Sequence, residues 1–317
     1  MILILIPAAA LALASIAAFF GRYVWWLDVL ANFRVQFLVA LLAMGGVLAL
    51  SRYRRWAIGI LFIAGINLAV VAPLYLGSPG DSSIDAPSIR VMSFNLLSAN
   101  DSYGEVVEYI RQTAPDVVVL HEASLPWETA MDSSDLGYEV TKSRSENLIF
   151  GTLVMTRNSA GVLTYGFAET DPRAVEIVTT VAGWDGPVSI LASHPLAPTD
   201  AERASLRDAQ LAFAADWASN QAGPYMVVGD LNATPWSWPF RNLLVQGGLR
   251  NSQIGFGVQP TFAATSNPLF RVPIDHLVHS EALLVRQRQL GPSLGSDHFP
   301  ILVDLELVGE EAGPTLP

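Results

Sequence analysis

Three long apolar runs at the start of the chain restrict its folding more than any other feature. Residues 2–20 are almost unbroken in apolar character, residues 25–50 form a second run with polar interruptions, and residues 56–76 form a third. Each approaches the roughly 20 residues that a helix needs to cross a bilayer. The first could instead be a cleaved signal peptide, since Ala8, Ala9 and Ala10 are small, but no basic residue precedes it. Within the second run, Asp28, Asn32 and Arg34 must sit at the interface or face protein rather than lipid. Tyr23, Trp25 and Trp26 fit an aromatic belt at that level. Arg52, Arg54 and Arg55 crowd the link between the second and third runs, whereas the other link carries Arg22 and Arg34 offset by Asp28. Positive charge stays inside, so three crossings would start the chain in the cytoplasm and leave everything after about residue 77 outside it.

Charge separates the two parts of the chain. Residues 1–78 hold five arginines and one aspartate, a net of +4, which leaves −15 for the rest of a chain whose total is −11. There are no cysteines among the 317 residues, so disulfides and thiolate metal sites are excluded. A polar linker covers residues 78–87, and residues 88–308 have the pattern of a soluble α/β domain, followed by an acidic tail at 309–317. The pattern predicts strands near residues 89–96, 116–120, 148–156, 174–181, 188–193, 225–228, 274–278 and 301–307. Residues 103–113 read as an amphipathic helix, and residues 236–244 as a shorter one. Thr199 to Glu202 has the spacing of a capping box, opening a long helix that presents Leu206, Gln210, Phe213 and Trp217 on one face.

Polar residues recur where these apolar strands end. Val227-Val228-Gly229-Asp230-Leu231-Asn232 is the clearest case, an acid and an amide two residues apart after a buried run. Taken alone it is more readily an Asx-turn than a site. Asn95, Glu122, His194, Asp275, Asp297 and His298 repeat the arrangement across the domain. Burying each separately would cost several kcal/mol, so convergence on one place is the economical reading. The hard oxygen donors Asn95, Glu122 and Asp297 suit Mg²⁺ or Mn²⁺. A metal, a base and nearby cations are what phosphate ester hydrolysis requires.

Ser93-Phe94-Asn95, His121-Glu122, Ser193-His194-Pro195-Leu196, Gly229-Asp230-Leu231-Asn232-Ala233, Ile274-Asp275-His276 and Ser296-Asp297-His298-Phe299-Pro300 resemble, in order, the motifs of the endonuclease/exonuclease/phosphatase family with its deoxyribonuclease I-like fold. The resemblance implies a four-layer α/β sandwich of two mostly antiparallel sheets flanked by helices. It also implies Glu122 as principal metal ligand, assisted by Asn95 and Asp297. Asp230 would orient the water and Asn232 the phosphate, His298 would contact the scissile phosphate with Asp275 as its partner, and His194 would stabilise developing charge. His121 stands where the family commonly has glutamine, and either adds a ligand or packs, packing being favoured. Glu146 and Arg173 are candidates for a further family acid or its equivalent, with solvated surface as the alternative.

Three membrane segments before the catalytic domain are similar to a bacterial subgroup that includes the VanJ-type teicoplanin-resistance proteins. That likeness implies a multi-pass protein of the bacterial inner membrane with an extracytoplasmic catalytic domain, acting on a lipid-linked pyrophosphate such as undecaprenyl pyrophosphate. The lipid bilayer and a phosphate-bearing substrate are the expected partners. A domain of net −15 is poorly suited to gathering a nucleic-acid polyanion. A membrane-tethered nuclease, a sphingomyelinase-like phosphodiesterase and a catalytically dead binding module remain as alternatives.

Overall fold

The computed structural model describes residues 2–77, 87–143, 150–157, 159–166 and 172–308. The expected linker at 78–86, the tail at 309–317, Glu146 and the side chain of Arg173 lie outside the described residues. Four helices come first: α1 (Ile2–Ala17), α2 (Trp25–Ala31), α3 (Arg34–Ala49) and α4 (Arg54–Val71). Phe37, Leu41 and Leu48 of α3 pack with Ala57, Ile60 and Ala64 of α4 and with Ala8 and Ala12 of α1.

The structure corrects the expectation of three uninterrupted crossings. Arg54–Tyr75, at 22 residues, is long and apolar enough to cross a membrane. Ile4–Phe20 and Trp25–Ala31 pass the same test only as a pair, bent by 116°, and Arg34–Ala49 is a shorter apolar helix. The polar residues of the second run explain the break. Asp28 Oδ2 lies 3.0 Å from Arg207 Nη2 and its Oδ1 accepts the Trp238 N–H at 2.7 Å. Asn32 Oδ1 accepts from the Thr234 hydroxyl at 3.0 Å. These bonds hold α2 against the following domain, so the chain must turn there rather than continue as one rod. Arg34 faces protein too, donating to the Ser15 carbonyl at 2.8 Å and to Asn67 Oδ1 at 3.3 Å.

The domain that follows contains helices α5 (Tyr103–Thr113), α6 (Leu125–Asp132), α7 (Ala201–Ser219) and α8 (Trp238–Gly247). Its strands, in chain order, are β1 (Ser88–Asn95), β2 (Val117–Ser124), β3 (Glu139–Ser143), β4 (Phe150–Thr156), β5 (Ser159–Gly166), β6 (Pro172–Thr180), β7 (Pro187–Ser193), β8 (Tyr225–Asp230), β9 (Arg250–Asn251), β10 (Asp275–His279), β11 (Leu283–Leu290) and β12 (Ile301–Leu307). They form two six-stranded sheets, ordered β11-β12-β1-β2-β4-β3 and β5-β6-β7-β8-β10-β9. Each sheet holds one parallel pair, β1 with β2 and β7 with β8, among antiparallel neighbours.

Alternation along the strands sorts the side chains into three cores. Ile89, Val91, Val117 and Val119 of the first sheet meet Ile177, Ile190, Val228 and Leu277 of the second, filling the space between them. The other face of the first sheet packs Met92, Phe94 and Leu120 on Val106, Ile110 and Trp127 of α5 and α6. The other face of the second packs Leu191 and Val227 on Leu211, Ala214 and Phe240 of α7 and α8. The result is the helix–sheet–sheet–helix order expected from the sequence. Two local expectations shift. Asp200, rather than Thr199, caps α7 by accepting the Arg203 N–H at 2.9 Å. Leu206 is exposed, and the buried face of α7 runs through Ala204, Arg207, Leu211 and Ala214.

Arg207 is 1% exposed, so removing its buried partner strands a charge away from water. Asp28→Ala is expected to cost about 3 kcal/mol, the lower end for a broken buried pair because Asp208 still reaches Arg207 Nε at 2.8 Å. The urea midpoint of the full-length chain in detergent measures this, with Asp28→Asn expected to lose less because its amide oxygen still accepts the Trp238 N–H.

Candidate active site

Register places the polar strand ends together. In the parallel pair β1–β2, Asn95 lies opposite His121, and in the antiparallel pair β8–β10, Asp230 lies opposite Asp275. The two sheets then meet through one amide: Asn95 Nδ2 donates to Glu122 Oε1 at 3.1 Å and to Asp230 Oδ2 at 3.0 Å. Asn95 Oδ1 accepts the Leu97 N–H, which fixes the amide orientation. Glu122 sits where the β2–β4 register shifts, with φ of 56°, and such a bulge turns a side chain out of its strand's alternation. Its carboxylate thereby faces the cleft, and Oε2 accepts the Ser98 N–H at 3.4 Å.

The stretch after β8 is set by backbone geometry. Gly229 has φ of 146°, and a Cβ there would collide with the Ser193 carbonyl and the His121 ring, so only glycine lets β8 approach them. Asn232 takes the left-handed region at φ 49°, which asparagine tolerates better than most residues. Its N–H caps Asp230 Oδ1 at 3.0 Å, its Nδ2 donates to the Pro195 carbonyl at 3.0 Å, and its carbonyl accepts from Arg207 Nη1 at 3.1 Å.

Asn95, Glu122, His194, Asp230, Asn232, Asp297 and His298 line a single cleft of about 530 Å³. Asp275, fully buried, stands behind His298, with Oδ2 2.8 Å from His298 Nδ1. The Thr261 hydroxyl accepts the Asp275 N–H at 3.1 Å. All eight expected site residues therefore come together. His298 Nε2 is 3.8 Å and His194 Nε2 3.6 Å from Asp230 Oδ2. His121 packs behind them, its ring centre 5.1 Å from that of His194 and its Nδ1 3.1 Å from the Thr152 hydroxyl. Sequence reasoning missed Arg207 and Asp28, which hold the Asn232 loop from behind; a charged residue inside each apolar face was the available signal.

Burial pushes the Asp230 carboxyl up to about 7, and the charge of Asp275 adds to this, against the pull of His298 and the Asn95 bond. Burial alone would lower His298, but the Asp275 and Asp230 charges and the hydrogen bond to Asp275 outweigh it and raise the imidazole to about 10. Asp275 in turn is held low, because the His298 charge and hydrogen bond overcome its burial. His298 is thus a cation at neutral pH. Among the described residues, ligand atoms of Asp230, Asp275 and His298 lie within 4.8 Å of one another. With His298 protonated and hydrogen-bonded to Asp275 this cluster reads as a proton-handling relay, and a cation binding there would have to displace that proton. Glu122 and Asp297, which face the open cleft, together with Asn95 offer the hard oxygen donors that suit a divalent cation of the Mg²⁺ type.

Replacing Asp275 with Asn removes the charge that holds the His298 proton. The His298 pKa, followed by NMR of the imidazole, is expected to fall from about 10 by at least ~1 unit. No change would mean that the pair does not set its charge.

A sequence model of the Endonuclease/Exonuclease/phosphatase family matches residues 92–298, and no curated protein matches the chain. Among solved structures, an endonuclease/exonuclease/phosphatase from Beutenbergia cavernae is 20% identical with a TM-score of 0.58, covering 72% of this chain and 73% of that one. One from Bacteroides vulgatus is 17% identical with a TM-score of 0.59, covering 70% and 99%. D. rerio TDP2 complexed with single strand DNA product is 14% identical with a TM-score of 0.58, covering 69% and 99%. At these identities the structures establish the shared fold. The ordered strand-end motifs, the two-sheet architecture and the match over most of the domain lead to one conclusion: the chain belongs to the endonuclease/exonuclease/phosphatase family, whose members are hydrolases of phosphate esters that use divalent metals.

Proposed function

We propose that this protein is a membrane-anchored, divalent-metal-dependent phosphohydrolase that cleaves a phosphate ester or anhydride of a lipid-linked substrate, such as undecaprenyl pyrophosphate. The observation that carries the reading is Asp230, buried and held at about 7, with Asn95, His194, Asn232 and His298 around it in one cleft. A base poised near neutrality can accept a proton at physiological pH and remain reactive. The lipid part rests on position. Val29, Asn32 and Phe33, from the apolar N-terminal helices, line the same cleft as the acids, so a site anchored this way works beside a bilayer.

Glu122 and Asp297 would hold the cation, with Asn95 assisting; when bound it polarises a phosphoryl oxygen and neutralises charge. Asp230 takes a proton from the attacking water as its oxygen bonds to phosphorus and the phosphorus–oxygen bond to the leaving group breaks. Asn232 orients the phosphate. His298, kept protonated by Asp275, donates a hydrogen bond to the phosphoryl oxygens, and His194 steadies charge on the other side of Asp230. A preformed cation on a buried scaffold needs no reorganisation as charge develops.

The DNA product in the TDP2 structure favours a second reading, a membrane-tethered nuclease, against which the acidity of the chain weighs. Phosphate release from a polyprenyl pyrophosphate with Mg²⁺ supports the first reading, and plasmid nicking without it supports the second. In either assay, Asp230→Asn is expected to lower kcat by ~10²–10⁴-fold.

The base must be ionised to act, so kcat/KM is expected to rise as pH increases through about 7 and to level above it. Because a bound cation favours the carboxylate, the rising limb should move to lower pH as Mg²⁺ approaches saturation. A pH–rate series at several Mg²⁺ concentrations checks both, and a flat profile between pH 5 and 8 at low Mg²⁺ contradicts the assignment of Asp230.

A further inference from the structure

A second concavity adjoins the catalytic cleft and differs from it in chemistry. It measures about 400 Å³ and runs between α3 and the loop that connects β9 to β10. Val35, Val39 and Ala43, spaced four residues apart, form its helical wall; Trp236, Val258 and Leu269 also line it. Asn32 and Phe270 line both concavities, so the two adjoin and share these walls. Among the described residues the only charged one on its wall, Arg271, is engaged elsewhere: its guanidinium lies 5.0 Å over the Phe299 ring and donates to the Ala264 carbonyl at 2.8 Å. Gln36 Nε2 donates to the Arg271 carbonyl at 3.1 Å, tying helix to loop across the groove.

The far end of the groove leads to the apolar outer surface of the first four helices. Val39, Leu42 and Val47 on α3, with Ile58 and Phe62 on α4, are exposed. The cleft with its five oxygen-bearing residues and two imidazoles, the apolar trough that shares Phe270 with it, and the apolar helix face that shares Val39 with the trough therefore lie side by side. Globular surfaces rarely hold an open apolar groove of this size without a ligand, and pockets of about 300–1,000 Å³ are typical binding sites.

We propose that this groove is the tail-binding subsite, and that the substrate is an amphiphile whose hydrocarbon chain lies between α3 and the 258–273 loop while its phosphate sits against Asp230. The inference rests on the phosphohydrolase reading above and adds a specificity element to it. The walls shared with the cleft at Asn32 and Phe270 argue for this occupant, because a chain attached to a phosphate in the cleft has this trough as its adjacent apolar surface. A tail held there links the head group to the bilayer side without crossing water, and each buried methylene adds to affinity. The groove thus selects for long-chain phosphates through KM, while the chemistry at Asp230 is shared by all phosphate substrates.

The test uses full-length protein in phosphatidylcholine vesicles with Mg²⁺ and three probes: farnesyl pyrophosphate, isopentenyl pyrophosphate with the same head and a short tail, and bis(p-nitrophenyl) phosphate. Wild type is expected to favour farnesyl over isopentenyl pyrophosphate by at least ~10-fold in kcat/KM. Ala43→Trp and Val39→Trp, which fill the groove from exposed helix positions, should erase that preference through KM and leave the two small probes unchanged. A preference that survives both substitutions, or falls equally with all probes, overturns the groove assignment and leaves the lipid-substrate reading standing. Turnover of the small probes without any preference for the long tail overturns both the groove and the lipid substrate. No turnover of any probe sinks the phosphohydrolase reading itself. A farnesyl analogue carrying a photoreactive group at the tail end provides an independent check that needs no variant: labelling within residues 35–43 or 258–273 supports the assignment, and labelling confined elsewhere refutes it.

Discussion

A charge that leaves water must be paired, and the architecture of this chain depends on that constraint at two adjacent places. Asp28 and Arg207 neutralise each other where the N-terminal helices meet the sandwich, and Arg207 also holds the carbonyl of Asn232. One turn of chain away, Asp230, Asp275 and His298 share charge at the ends of facing strands. The first pair fixes the loop that carries the second cluster. An apolar substitute at Asp28 would strand the buried Arg207 charge and leave the loop without its brace, so the ion pair serves both stability and orientation.

The cleft shows how one environment separates the roles of similar groups. Asp230 and Asp275 are both buried carboxylates on neighbouring strands, yet burial lifts one to about 7 while a hydrogen-bonded imidazolium holds the other low. The contrast follows from burial shared by both acids and a histidine hydrogen-bonded to only one of them. Because the N-terminal segment contributes Val29, Asn32 and Phe33 to the same cleft, that apolar segment forms part of the wall of the site. The apolar groove beside it is walled by the same segment, through Asn32, Val35 and Val39.

Much of this was legible beforehand because apolar strands ending in polar residues leave a local signature. β1, β2, β7, β8, β10 and β12 were all readable from runs of β-branched residues, and Asn95, Glu122, His194, Asp230, Asn232, Asp275, Asp297 and His298 stood at or near their ends. β3, β5, β9 and β11 were not. Each lies at or next to the rim of a sheet, where one side faces solvent and the apolar alternation fades. The break in the second apolar run was hidden for a different reason. Asp28, Asn32 and Arg34 announced that something other than lipid must face them, but their partners Arg207, Thr234 and Asn67 are between 33 and 202 residues away in sequence.

By itself, the sequence determined the division into an apolar N-terminal segment and an acidic α/β domain, the ordered strand-end motifs and the class of chemistry they serve, because these depend on composition and local periodicity. Only the tertiary structure decided that Asp28 belongs to Arg207, that Glu122 faces the cleft from a bulge, and that an apolar trough meets the catalytic cleft at Asn32 and Phe270. The physical reason is common to all three. Pairing of buried charge, the register of neighbouring strands and the shape of a groove are relations between segments far apart in the chain, and no local pattern of residues encodes the distance between them.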